Sequence, residues 1–140
     1  MILRIALALL VLAVVGFAAW VRLAPLPVDR FHRMAAAQAE GDWPEPGGFE
    51  AVRQVPAPQA TLAELTRLAE ATPRTTRLEG APEEGLVTFV TRSRIWGFPD
   101  ISNIWIEGDR IHIRAHLVFG RSDFGVNRAR VEGWLARAGL

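Results

Sequence analysis

Residues 86–119 read LVTFVTRSRIWGFPDISNIWIEGDRIHIRAHLVF, and this stretch decides the fold. Leu86 to Ile95 is rich in valine, threonine and phenylalanine, the β-branched and aromatic residues that suit a pleated, half-buried surface. Trp96-Gly97-Phe98-Pro99-Asp100 carries glycine and proline and breaks the run as a turn. Ile101 to Glu107 and Arg110 to Phe119 are two further strands. Gly108-Asp109 joins them as a two-residue hairpin.

Helices flank this meander. Thr61-Leu62-Ala63-Glu64 has the form of a capping box, with Leu62, Leu65, Leu68 and Ala69 following at helical spacing, so a helix is expected from Leu62 to Ala71, stopped by Pro73. Arg74 to Glu79 is a candidate strand, and Gly80 to Gly85, with Pro82, a turn. A last helix is expected from Ser122 or Asp123 to Ala138, with Val126, Val131, Trp134, Leu135 and Ala138 on its apolar stripe. Helix, strands, helix gives an α+β class: a two-layer sandwich of a small, mainly antiparallel sheet with two helices. In residues 24–59, Pro25, Pro27, Pro44, Pro46, Pro56 and Pro58 with Gly47 and Gly48 leave no helical or strand period. That segment is read as a proline-rich linker wrapped on the surface of a domain spanning 60–140.

The first 23 residues form one hydrophobic helix ahead of the sandwich. Ile5 to Val21 is uncharged, bracketed by Arg4 and Arg22, with Trp20 near its end. At ~1.5 Å per residue it spans about 25 Å, enough to cross a bilayer once snorkelling arginines are allowed for. Two readings stay open: a transmembrane anchor, or a signal peptide cleaved near Gly16-Phe17-Ala18. Arginines on both flanks give no clear direction by charge. A short amino terminus before a single span favours export of the downstream chain, placing the domain in the periplasm, held at a bacterial inner membrane.

Composition narrows the chemistry. The chain has 140 residues, a net charge of +1 and no cysteine, so it forms one ordinary domain without disulfides, and bulk charge gives no argument for nucleic acid. Its sixteen cations are all arginine, which removes lysine Schiff-base chemistry, and there is no tyrosine to act as a catalytic acid.

Gly120-Arg121-Ser122-Asp123-Phe124-Gly125-Val126-Asn127-Arg128-Ala129-Arg130-Val131, preceded by Phe98-Pro99-Asp100 and Ile111-His112-Ile113-Arg114, resembles the signature of the domain of unknown function 1499. Val21-Arg22-Leu23-Ala24-Pro25 is similar to the leader exit of membrane-anchored proteobacterial members. The resemblance covers roughly residues 60–140. It departs from the family where members show Asp-x-Arg-Ser-x-Ser-Arg before the glycine and this chain has His112, Arg114, Ala115, Leu117 and Val118. The resemblance implies an extracytoplasmic or lumenal setting and no established activity.

Strand alternation sends Val87, Phe89, Ile111, Ile113, Ala115 and Leu117 toward the helices and leaves Arg92, Arg94, Arg110, His112, Arg114 and His116 on the other face. Such a face is strongly cationic. It is either an anion site suited to arginine's bidentate pairing, or a solvated surface whose arginines pair with Glu107, Asp109 and other surface acids. His112 and His116 are four residues apart on one strand, about 13 Å at ~3.3 Å per residue, too far to share a metal ion, so no metal and no cofactor is expected. The turn from Gly120 to Arg128 is a second candidate. Its amides and Arg121 and Arg128 suit an anion, while Ser122 and Asp123 are equally suited to cap the helix, and Asn127 lies in its first turn.

Ser122, His116 and Asp100 or Asp123 supply the residue types of a hydrolase triad without a Gly-x-Ser-x-Gly elbow. The leading reading is a non-catalytic, membrane-held module that binds a partner protein or anionic ligand through Arg114 to Arg128. A hydrolase built on Ser122 and His116, and a structural subunit whose apolar helix docks into a larger membrane complex, are the alternatives.

Overall fold

The computed structural model describes all 140 residues, Met1 to Leu140. Its centre is one six-stranded antiparallel sheet: β1 (Gly41–Glu45), β2 (Gly48–Gln54), β3 (Thr75–Ala81), β4 (Leu86–Arg92), β5 (Pro99–Glu107) and β6 (Arg110–Leu117), in the order β1-β2-β6-β5-β4-β3. The helices are α1 (Ile2–Leu23), the single turn α2 (Val28–Phe31), α3 (Pro58–Glu70) and α4 (Val126–Ala138). The α+β class therefore holds. A 3-10 turn, Pro82–Glu84, links β3 to β4.

α3 and α4 lie on one face of the sheet. Leu62, Leu65 and Ala69 of α3 and Val131, Trp134 and Leu135 of α4 close over Phe49, Ala51, Val87, Phe89, Ile104, Ile111, Ile113 and Ala115, all buried. The helical spacing of the leucines in α3 makes its inward stripe, and the period-2 alternation of the strands makes the facing surface. Trp134 ties the two helices, its indole N–H donating to Thr72 Oγ1 at the end of α3 (2.8 Å). The Gly108-Asp109 hairpin forms as expected, with Glu107 paired to Arg110.

Residues 41–54, expected to be irregular, instead form the β1–β2 hairpin. Pro44 lacks an amide donor, but β1 is an edge strand, where that loss leaves no ladder bond unmade. α3 begins four residues early, at Pro58, and the capping box is not used: Thr61 Oγ1 donates to the Ala57 carbonyl and Glu64 pairs with Arg67. β4 stops at Arg92 and β5 starts at Pro99, so Arg94 and Ile95 belong to the turn. Ser93 N–H bonds the Phe98 carbonyl across its neck. α4 starts late, at Val126, because Gly125 takes a left-handed conformation (φ 79°). Val126 is consequently 53% exposed and off the apolar stripe.

Residues 24–40 run over the second face of the sheet. Phe31 packs on Val90 and Ile101, the Phe31 carbonyl accepts from Asn103 Nδ2 (2.8 Å), and His32 Nδ1 meets Thr88 Oγ1 (2.8 Å). α1, 22 residues long and with a mean hydropathy of 2.6 over an 18-residue stretch, is long and apolar enough to cross a membrane. At ~1.5 Å per residue it measures about 33 Å. Its last turn docks on the sheet: Val21 is buried, and Arg92 Nη1 donates to the Val21 carbonyl (3.2 Å).

Candidate functional site

The second face of the sheet is not the bare cationic surface that alternation along β4 and β6 implies. The missing acids come from the unexpected hairpin: Glu50 of β2 lies opposite Arg114 of β6, and Glu45 of β1 reaches the same arginine. Arg114 Nη2 meets Glu45 Oε2 at 2.7 Å and its Nε meets Oε1 at 3.1 Å, a forked pairing that fixes the guanidinium plane. His112 has no solvent exposure. It stacks on Trp105 (centroids 4.7 Å apart, planes at 19°) and its Nδ1 lies 3.2 Å from Glu50 Oε1. Its Nε2 is 3.2 Å from a Glu107 oxygen, without hydrogen-bonding alignment. The acid that pairs with an arginine of this face is thus Glu45, and neither Glu107 nor Asp109 pairs with one.

Between this face and residues 30–38 lies a cavity of about 530 Å³. Arg30, Arg33, Arg114, Glu45, Glu50 and His116 line it, with Asn103 at its floor. Burial holds the His116 imidazole down, helped by the Arg114 charge, to a pKa of about 4, so the ring is neutral near pH 7. Its Nδ1 is shielded and has no partner. Burial pushes the Glu50 carboxyl up, against the pull of the His112 bond. Arg30 and Arg33 have no carboxylate within ion-pair distance, and Arg30 stands over the Phe31 ring (5.1 Å).

The remaining candidates sit elsewhere. Arg92 and Arg94 line a second hollow with Arg22 and Arg74, where α1 meets the sheet. Asp100 points the other way, to α4, where Arg130 Nη2 approaches its Oδ2 at 3.2 Å. Burial raises the Asp100 carboxyl in spite of that arginine. Asn127 is buried beside them, its Oδ1 accepting from Arg130 Nη1 (2.6 Å). Asp123 caps α4: its carboxylate accepts from the Asn127 amide (2.8 Å) and the Gly125 amide (3.2 Å). Burial opposes the Asp123 charge, but those amides outweigh it and hold the carboxyl below its usual value. Ser122 Oγ accepts from the Phe124 amide, Arg128 pairs with Glu132 and covers the Phe49 ring, and Arg121 is exposed.

The turn at 120–128 and the Arg114–His116 stretch are thus separate places. His116 lines the cavity beneath residues 30–38, whereas Ser122 lines a third one, of about 560 Å³, at the α1 end of the sheet. No hydrogen bond joins Ser122, His116 and either aspartate, and each aspartate is engaged by other groups. The triad is not assembled. Arg30, Arg33, Glu45 and Glu50 escape a reading of strands β4 to β6, since they enter through segments rich in proline and glycine. Phe49-Glu50-Ala51-Val52, apolar and polar in alternation after Gly47-Gly48, is the one local signal that points to them.

Comparison with known proteins agrees with the signature noted in the sequence. No curated protein matches the chain. A family model described as a protein of unknown function (DUF1499) matches residues 29–137, taking in the cavity-covering segment and the first hairpin as well as the region downstream of residue 60, and the chain belongs to that family.

Proposed function

We propose that this protein is a membrane-anchored, extracytoplasmic binding module that holds a small anionic ligand in the cavity between residues 30–38 and the second sheet face. The observation that carries this reading is the convergence of Arg30, Arg33 and Arg114 on that cavity, together with a shielded, unpartnered His116 Nδ1. A guanidinium without a carboxylate partner keeps its forked donors for a ligand carboxylate or phosphate. Neutral His116 adds one further hydrogen bond, and Glu45 fixes Arg114 without occupying all of its donors. The acids Glu45 and Glu50 favour a ligand that carries a donor group as well as an anionic one.

Thermal melting of the full chain in detergent, titrated with succinate or inorganic phosphate, tests the site. The melting temperature is expected to rise with at least one of these probes, and the rise should vanish in Arg33→Gln. An equal rise in the variant, or none in the wild type, would remove the cavity from consideration. Anchoring is supported by the length and hydropathy of α1, and the orientation by its position behind a short amino terminus. Since the natural chain has no cysteine, a single Glu83→Cys variant labelled in intact cells by a membrane-impermeant maleimide reads the side directly. Labelling is expected without lysis; labelling only after lysis would place the domain in the cytoplasm.

A further inference from the structure

Four guanidinium groups gather where α1 ends, and none of them has a carboxylate partner. Arg22 donates to the Ala18 and Ile95 carbonyls, Arg92 to those of Val21 and Gly97, and Arg74 to that of Arg92. Arg94 stands beside them. With Thr76 and Ser93 they line a hollow of about 400 Å³ that contains no acidic and no apolar side chain. Like charges held this close repel one another, and a guanidinium that gives one or two of its five donors to carbonyls still has the rest to place. The backbone is shaped to admit them: Arg74 takes a left-handed φ of 60°, and a Cβ on Gly97 (φ 78°) would fall 2.7 Å from the Arg22 side chain.

The adjoining surface is apolar and continuous with α1. Phe17 of α1 meets Trp96 and Phe98 (centroids 6.3 and 6.1 Å), and Trp20 meets Phe119 (6.0 Å). Next to this collar Ile95 is 76% exposed and Phe124 95% exposed. An apolar helix, an aromatic collar at its last turns and a rim of arginines is the succession that a bilayer presents in complement, from acyl chains to interface to anionic headgroups.

We propose that the hollow lined by Arg22, Arg74, Arg92 and Arg94 binds the phosphate of an anionic phospholipid whose acyl chains lie against the Phe17–Trp20 collar. This rests on α1 lying in the bilayer. The collar selects the lipid over free phosphate, because only a lipid gains by covering Trp96 and Ile95. The site is separate from the cavity beneath residues 30–38.

Binding to the full chain in detergent is measured by native mass spectrometry with three probes: dioctanoyl phosphatidylglycerol, dioctanoyl phosphatidylcholine and inorganic phosphate. Phosphatidylglycerol is expected to bind at least about tenfold tighter than either of the others. Arg74→Gln and Arg94→Gln should each weaken it about fivefold, and Arg137→Gln, on the exposed side of α4, should leave it unchanged. Arg74 and Arg94 are exposed, so the variants keep the core, which an unaltered melting temperature without lipid verifies. Equal binding of phosphatidylcholine, phosphate binding the Arg33→Gln variant as tightly as the lipid does, or indifference to both substitutions would overturn the assignment. Carbonate extraction of native membranes separates this from the anchor itself: a released chain loses both readings, whereas a retained chain without lipid preference loses only the headgroup site.

Discussion

Glu50 and His112, on neighbouring strands β2 and β6, share one buried hydrogen bond with Oε1 and Nδ1 3.2 Å apart, at 1% and 0% exposure. The charged form of Glu50 is disfavoured there by burial, so what the pair needs from Glu50 is an acceptor more than a charge. Glu50→Gln keeps the acceptor and removes the desolvation of a carboxylate; its stability at pH 7 should equal or exceed the wild type in urea unfolding. Glu50→Leu leaves His112 Nδ1 unpaired and should lose about 1–3 kcal/mol. A Gln variant as unstable as the Leu variant would show that the carboxylate charge itself holds the strands.

His116 gives the domain a pH dependence with a definite sign. Its folded pKa of about 4 lies below the ordinary 6.5, so the unfolded chain binds more protons between those values and stability rises with pH across that window. The contribution is present above pH 6.5 and is lost as pH falls toward 4, by on the order of 2 kcal/mol. His116→Ala should flatten this part of the profile, measured by unfolding at pH 4.5, 5.5 and 7. A profile equally steep in the variant would assign the slope to other groups.

Asp100 and Arg130 join β5 to α4 with side chains only 12% and 9% exposed. Removing one partner strands the other charge, and Asp100→Leu alone should cost about 3 kcal/mol. Because burial already outweighs Arg130 at Asp100, the double variant Asp100→Leu, Arg130→Met should recover more than half of that loss. A double variant as unstable as the sum of the single ones would mean that the two residues act independently.

Gly97→Ala tests the docking of α1. A Cβ there collides with Arg22 and the residue must keep a φ of 78°, so the substitution should cost about 1 kcal/mol and free Arg22 from the Ile95 carbonyl. Limited trypsin digestion with amino-terminal sequencing should show faster cleavage after Arg22 in the variant. Cleavage at an unchanged rate would mean that Arg22 is already free in solution.

The sequence makes the meander and the two packing helices legible, because their apolar residues carry clear periods: Leu62, Leu65 and Ala69 on one, Val87 and Phe89 on the other. It conceals the β1–β2 hairpin. Pro44 and the Gly47-Gly48 pair read as breakers, and only the edge position of β1, a tertiary fact, makes that proline harmless. The same concealment distorts the candidate site. The arginines and histidines of β6 are visible as a row of cations, but Glu45 and Glu50, which neutralise them, enter from strands hidden in the proline-rich stretch. Arg74 is brought beside Arg92 by the β3–β4 pairing, but Arg22 joins them only through the docking of α1, which no local pattern encodes.

The strand order bears on timing. β6, the last strand made, is inserted between β2 and β5, so the first hairpin has no neighbour until the chain has grown far past it; Glu50 waits for His112, 62 residues downstream. Contacts of such long range close slowly and late. A ribosome releasing this chain amino end first therefore releases a sheet that cannot shut until its final quarter has emerged. Under the export proposed above, this order of assembly would keep the chain threadable until its last strand has crossed.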